Sequence, residues 1–116
     1  MSIVFFENDI LEFINSNSSH VIQTNLDLYH FVDANINNKS LLTFIDTTKV
    51  TYMNKLFNTF KDFNILLLWN TGNVEHMNHI FHKENEYNKQ LNFWNLDKVI
   101  DIYHILTKMH YNRQIF

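Results

Sequence analysis

The sequence predicts an α/β fold, in which residues 1–116 form a single three-layer domain around a mostly parallel five-stranded sheet. Two short apolar runs, at 41–45 and 65–69, have the length and uniform hydrophobicity of strands buried on both faces. Between them, residues 50–63 place apolar side chains at helical spacing. This alternation of strand and helix occurs five times, with no internal sequence repeat and no linker. An all-α bundle is the alternative, because the chain has one glycine and no proline.

The first half of the chain supplies two strand–helix units in this prediction. Residues 3–6 form the first strand, and Asn8 caps the helix after it. Residues 20–24 form the second strand. Thr24 and Asp27 then make a capping pair for the second helix. The apolar residues of that helix are Leu28, Phe31, Val32 and Ile36.

The second half continues with three more units. Their strands are predicted at 41–45, at 65–69 and around Leu91 and Phe93. Their helices begin at Thr47 or Thr48, at Asn73 and at Asn95. The first of these helices has the clearest apolar face, which consists of Val50, Met53, Leu56, Phe57, Phe60 and Phe63. The second is predicted to bury Val74, Met77, Ile80 and Phe81.

Composition argues against several classes of protein. The chain has no cysteine, so it has no disulfide scaffold, thiolate zinc site or cysteine nucleophile. Nine Lys and Arg residues without a block, with a net charge of −3, make nucleic acid an improbable partner. Glu7 and Asp9 interrupt the first apolar run too early for a signal peptide. No apolar run approaches the roughly 20 residues that span a bilayer. These features predict a cytoplasmic protein without a membrane segment.

Acidic and hydroxyl side chains follow the predicted strands, where sites lie in doubly wound sheets. Glu7 and Asp9 follow the first strand, Asp46 ends the third, and Thr71 follows the fourth. With five strand–helix units, this layout resembles the response-regulator receiver family. The resemblance implies that Glu7 and Asp9 hold Mg²⁺, that Asp46 accepts a phosphoryl group, and that Thr71 senses it.

The match to the receiver pattern is incomplete after the fifth strand. The Lys and Pro that the family carries there are replaced by Trp94 and Asn95. The cation that would pair with the phosphate is therefore missing. The resemblance then implies a degenerate receiver that takes no phosphate. The structural alternative is that Asp46 and Asn73 are simply loop and helix-cap residues.

Three histidines form a second candidate constellation. His76, His79 and His82 are spaced three residues apart, with Glu75 beside the first. On a helix, His76 and His79 would be neighbours and could share a metal ion. The alternatives are a solvated helix face or a pH-sensitive surface.

The sequence contains no nucleophile elbow, Walker loop or dinucleotide-binding fingerprint, and a single glycine disfavours a phosphate-cradling loop. We therefore predict a non-catalytic, protein-binding regulatory module without a cofactor. The alternative is a small immunity or viral antagonist that blocks a partner's active surface. The candidate interface residues are Thr71, Trp94, Asp97, Asp101, Tyr111 and Phe116. A third possibility, a metal-dependent phosphoacceptor, requires Mg²⁺ near Asp46.

Overall fold

The computed structural model describes residues 20–82, 87, 89, 91 and 94–100, and in these residues the backbone winds in successive parallel coils. Isolated parallel bridges join residues 24 or 25 positions apart: Val21 with Asp46, Tyr52 with His76, and Phe57 with Phe81. Backbone hydrogen bonds run across the same pairs of segments. They join Met53 N to His76 O at 2.7 Å and Phe57 N to Ile80 O at 2.8 Å. A constant offset between parallel neighbours is the geometry of a solenoid.

We define the first coil as residues 45–68 and the second as residues 69–82 together with Tyr87, Lys89 and Leu91, and residues 94–100 begin a third. Side chains at equivalent positions of successive coils fall above one another, because the bridges fix the register. The inward positions are apolar in both coils. These buried pairs are Val50 and Val74, Met53 and Met77, Leu56 and Ile80, Phe57 and Phe81, Phe63 and Tyr87, and Leu67 and Leu91. Each coil thus buries its apolar face against the next one.

Helix α1 (Asn25–Asn35) and helix α2 (Lys39–Thr43) form the layer before the first coil. Helix α1 begins after Thr24, whose hydroxyl accepts the Asp27 N–H at 3.1 Å, so the predicted cap of this helix is confirmed. Its inward side chains, Leu28 and Val32, are buried. The predicted position of this helix is also confirmed.

The side chains of Asn25 and Tyr29 attach α1 to the first coil through hydrogen bonds. The Asn25 side chain donates to Thr51 Oγ1 at 3.0 Å and accepts the Thr51 N–H at 2.9 Å. The Tyr29 hydroxyl donates to the Asn54 carbonyl at 2.6 Å. A helix that covers the first coil in this way satisfies polar groups that would otherwise need water.

Aromatic rings run through the core from coil to coil. Phe57 and Phe63 stack at 3.9 Å within the first coil, and Phe81 and Tyr87 stack at 4.3 Å within the second. Between the coils, Phe57 lies 5.9 Å from Phe81 and Phe63 lies 6.1 Å from Tyr87, as measured between ring centroids. The four rings form one continuous stack, and offset stacking of this kind adds to the free energy of burial.

Buried hydroxyl and indole groups tie each layer to its neighbour. Thr47 donates to the Asn70 carbonyl at 2.8 Å, and Thr71 donates to the Asn95 carbonyl at 3.0 Å. Trp69 Nε1 donates to the Leu42 carbonyl at 2.7 Å, and Trp94 Nε1 donates to the Leu67 carbonyl at 3.1 Å. Each acceptor lies 27 residues earlier in the chain. In the part of the chain that the structure describes, every buried side-chain nitrogen or oxygen has a partner.

The prediction of a five-stranded parallel sheet is wrong. Within residues 20–82 and 94–100, pairing between neighbouring segments consists of isolated bridges rather than strands. The all-α alternative fits these residues no better, because their only α-helices are α1 and α2. The receiver layout, which depended on the sheet, is corrected with it. The structure also reveals the internal repeat that the sequence analysis missed.

The predicted helix over 50–63 is replaced by a series of turns. Hydrogen bonds from Val50 N to Thr47 O, Leu56 N to Met53 O and Phe63 N to Phe60 O each close a turn of four residues. Such turns bring side chains inward at nearly the spacing of a helix, so the apolar residues were correctly assigned to the core. The helix predicted from Asn73 is absent among residues 73–82 for the same reason.

The predicted strands also change. Residues 41–45 overlap α2 instead of forming a strand. In the run 65–69, Ile65, Leu67 and Trp69 are buried while Leu66 is exposed, so the segment is extended with one inward face rather than two. Residues 20–24 contribute a single bridge. The elements predicted at 3–6 and after Asn8, the Phe93 end of the fifth strand and most of the last helix lie outside the described residues.

Candidate functional site

Three aromatic side chains lie side by side on the surface of the stack, and we call Tyr29, Tyr52 and His76 the aromatic strip. They come from α1, the first coil and the second coil. The rings of Tyr29 and Tyr52 are 6.4 Å apart, and those of Tyr52 and His76 are 5.6 Å apart. The parallel bridge between Tyr52 and His76 sets the second spacing. The Tyr52–His76 part of the strip therefore follows from the coil register, and α1 adds Tyr29.

Tyr52 is the exposed centre of the strip. Its side chain remains 41% exposed although rings lie on both sides of it. Asn25 Oδ1 accepts the backbone N–H of Tyr52 at 3.3 Å, which adds to the attachment of α1 at this point. A large ring held between neighbours loses little conformational freedom on binding, which favours its use as an interface anchor.

Tyr29 supports Tyr52 from the α1 side. Its hydroxyl is bound to the Asn54 carbonyl. Burial, together with the nearby Tyr52 phenol, raises the pKa of Tyr29 to about 12. Tyr29 is therefore neutral at physiological pH, and its hydroxyl stays a hydrogen-bond donor to the first coil.

Two exposed aliphatic residues belong to segments that contact those of the strip. Leu26, 63% exposed, follows Asn25, whose side chain accepts the backbone N–H of Tyr52. Ile100, 70% exposed, donates its N–H to the Glu75 carbonyl at 2.9 Å, which places it alongside the residue before His76. An exposed ring between two other rings is typical of a protein interface, where aromatic residues are enriched.

The comparisons with known proteins identify a family. A family model described as "Mycoplasma protein of unknown function, DUF285" matches residues 24–115, which is more than half of the chain. The chain belongs to this family. No curated protein and no solved structure matches it. The DUF285 match begins at Thr24, the cap of α1, and includes both coils.

In this DUF285 chain, Asp46 closes a turn at the start of the first coil. Its Oδ1 accepts from the N–H of Thr48 at 2.9 Å and from the Thr48 hydroxyl at 2.6 Å. Asn70 Oδ1 makes the equivalent bond to Gly72 N, and Asn95 Oδ1 makes it to Asp97 N. Asp46 therefore helps to form a turn, as the neutral side chains of Asn70 and Asn95 do.

Thr71 is buried and also structural, since its hydroxyl both donates to the Asn95 carbonyl and accepts the Asn95 N–H. Glu7 and Asp9, the predicted Mg²⁺ ligands, lie outside the described residues. The receiver resemblance implied that Asp46 accepts a phosphoryl group and that Thr71 senses it. In the structure, both side chains instead bind backbone groups within or between the coils.

The coil places His76 and His79 in different local environments. His76 belongs to the aromatic strip, whereas His79 occupies a left-handed turn with φ of 51°. The helix that would have placed His76 and His79 on one face is not present. In the described parts of the DUF285 chain, no group of three or more His, Asp or Glu residues is arranged to hold a metal ion.

Trp94 is not an exposed interface anchor as predicted. It is 6% exposed, its indole donates to the Leu67 carbonyl, and it stacks on Trp69 at 6.4 Å. Asp97 is exposed at the start of the third coil. The other candidate interface residues, Asp101, Tyr111 and Phe116, lie outside the described residues.

Sequence reasoning missed the aromatic strip. Tyr52 and His76 occupy equivalent positions, 24 residues apart, in two segments that share a pattern of Thr, Val, Met and Phe. Aligning the chain with itself at that offset would have placed the two rings together. None of the helices in the described regions is long and apolar enough to cross a membrane.

Proposed function

We propose that this chain is a non-catalytic module that binds another protein through the aromatic strip. The observation that carries the proposal is the position of Tyr52, an exposed ring held between Tyr29 and His76. Tyrosine is enriched among residues that dominate binding energy, because it combines a large apolar ring with a polar tip. The partner surface that fits this strip is apolar at its centre.

The use of the buried polar groups supports a binding role over a catalytic one. Thr47, Thr71 and Tyr87 each donate their hydroxyl to a backbone carbonyl of a neighbouring layer. Burial raises the pKa of Tyr87 still further above its ordinary value, which keeps its hydroxyl protonated. These groups are committed to holding the coils together, so they do not serve as acids, bases or nucleophiles.

The repeated architecture supports the same proposal. Successive coils present equivalent positions in rows, which produces an extended surface rather than an enclosed site. The row that contains Tyr52 and His76 continues onto α1 through Tyr29, so the strip extends over three layers. Phosphorylation of Asp46 has no part in this proposal, because its carboxylate closes a turn.

The test replaces the ring at the centre of the strip. Tyr52→Ala and the control Leu66→Ala each remove an exposed large side chain, since Leu66 is 37% exposed. The wild-type chain captures a partner from lysate of the native host, and titration of the purified partner then gives a Kd for each variant. We expect Tyr52→Ala to raise the Kd at least about tenfold, and Leu66→Ala to change it less than about threefold.

Circular dichroism and urea unfolding establish that both variants fold. A partner that binds wild type and Tyr52→Ala with equal Kd would place the interface elsewhere. The absence of any saturable partner would refute the binding role itself.

A further inference from the structure

The segment of the first coil that carries Tyr52 is attached to α1 on both sides of that residue in the chain. On the N-terminal side, the Asn25 side chain bonds to the N–H and the hydroxyl of Thr51 and to the N–H of Tyr52 itself. On the C-terminal side, the Asn54 carbonyl accepts the Tyr29 hydroxyl at 2.6 Å. The two attachment points therefore enclose Tyr52.

Both attachments come from one face of α1. Asn25 and Tyr29 are four residues apart in this helix, and side chains at that spacing are neighbours on the helix surface. One ordered helical turn thus sets the distance between the two points at which the first coil is held. The two sets of bonds depend on the same docking of α1, so they form together and are lost together.

The second coil holds the same segment from the other side, through its backbone. Met53 N donates to the His76 carbonyl at 2.7 Å, and Glu75 N donates to the Thr51 carbonyl at 2.8 Å. Such bonds fix the path of the chain, but a fixed backbone still allows a side chain more than one rotamer. The direction of the Tyr52 ring therefore depends on the groups packed beside it, which on the α1 side include the Tyr29 ring at 6.4 Å.

We propose that Asn25 and Tyr29 are positioning residues that keep the Tyr52 ring in the aromatic strip, so that docking of α1 regulates binding at the strip. This inference rests on the proposed function. A ring that is already ordered loses less conformational freedom when a partner binds. Because the strip is complete only while α1 is docked, the apparent Kd for a partner is the intrinsic Kd divided by the docked fraction of the chain.

The first test uses the full chain alone and measures the nuclear Overhauser effect between the rings of Tyr52 and His76, neither of which is substituted. Tyr29→Phe keeps the ring but removes the hydroxyl that binds Asn54, and Asn25→Ala removes every bond of that side chain. We expect each of these two variants to weaken the Overhauser effect. Asn25→Asp keeps the acceptor oxygen and should retain it.

Tyr87→Phe is the matched control for a general loss of stability. Its hydroxyl donates to the Ile65 carbonyl at 2.8 Å, in the core rather than beside the strip. This variant should lower the midpoint of urea unfolding and leave the Overhauser effect of the strip unchanged. An unchanged effect in Tyr29→Phe or in Asn25→Ala, or an equal loss in Tyr87→Phe, would overturn the proposal.

The second test measures the Kd of each variant for the partner purified in the binding experiment described above. Tyr29→Phe and Asn25→Ala should each raise the Kd at least about fivefold, and Tyr87→Phe less than about twofold. If Tyr52→Ala raises the Kd while the two positioning variants keep the wild-type value, this inference is overturned and the proposed function stands. If Tyr52→Ala itself keeps the wild-type Kd, the proposed function is overturned, and the Overhauser effect still decides whether α1 positions the ring.

Discussion

Replacing Thr71 by valine tests the stacking of the coils directly. The Thr71 hydroxyl donates to the Asn95 carbonyl at 3.0 Å and accepts the Asn95 N–H at 2.9 Å. Valine has nearly the same shape but leaves both backbone groups unpaired beside a buried side chain. Each such group costs about 1–3 kcal/mol, so we expect a loss of about 2–4 kcal/mol in the free energy of unfolding.

Thr47→Val is the internal comparison, because the structure gives Thr47 one bond of this kind, to the Asn70 carbonyl at 2.8 Å. Its expected cost is about 1–2 kcal/mol. Urea unfolding followed by tryptophan fluorescence measures both, and the Thr71→Val midpoint should fall by about 1–2 M. Thr59→Val, at an exposed turn, should change little. A Thr71→Val cost no greater than that of Thr47→Val would refute the assigned bonds.

Three further predictions address the core, the turns and the tyrosines. Phe57→Ala should cost about 3–5 kcal/mol of unfolding free energy in thermal or urea melts, because Phe57 is fully buried within the ring stack, and Phe57→Leu should cost clearly less. Lys55 has a φ of 58°, so Lys55→Gly should raise the free energy of unfolding by about 0.5–1 kcal/mol, whereas Thr59→Gly, which has no left-handed φ to relieve, should lower it. The pKa of Tyr29 is raised to about 12 in the folded chain, and that of Tyr87 is also raised. Unfolded tyrosines lose protons near pH 10, so the contribution of these two tyrosines to stability should be constant below pH 10 and should fall as the pH rises toward 12. Tyr29→Phe should flatten that fall in urea melts across this range. Equal slopes for Tyr29→Phe and wild type, a loss from Lys55→Gly, or equal costs for the two Phe57 variants would contradict the respective assignments.

The sequence predicted α1 because local rules decide that helix. Thr24 and Asp27 satisfy the first turn, and Leu28 and Val32 provide its inward stripe, all within one short segment. It also predicted which residues of the first coil are buried. Val50 and Met53 would point inward in a helix, and they point inward in the coil.

The backbone of the coil could not be predicted from that spacing. Successive four-residue turns and a helix both bring every third or fourth side chain inward, so the apolar pattern does not distinguish them. The distinguishing information lies in pairing between residues 24 apart, such as Tyr52 with His76, which no short window contains. Lys55 and His79 have a left-handed backbone as part of that pairing geometry. Neither lysine nor histidine is a residue type from which a left-handed conformation would be predicted.

The aromatic strip lies at positions that the sequence analysis did not select. The sequence analysis expected Trp94 to be an exposed aromatic residue of an interface. Its burial against Trp69 depends on a contact between coils, which a short stretch of sequence does not contain. Tyr52 was overlooked because its neighbours, Tyr29 and His76, are distant in the chain. Both errors arise from the missing repeat.

The repeated bonds between coils have a consequence for how the length of such a chain can change. Thr47 and Thr71 hold the next layer in the same way, and Trp69 and Trp94 reach back by the same number of residues. A duplicated unit of this kind would bring with it the groups that attach it on both sides. The domain can therefore be lengthened in whole coils, with a new row of surface positions for each, while α1 remains attached to the first of them.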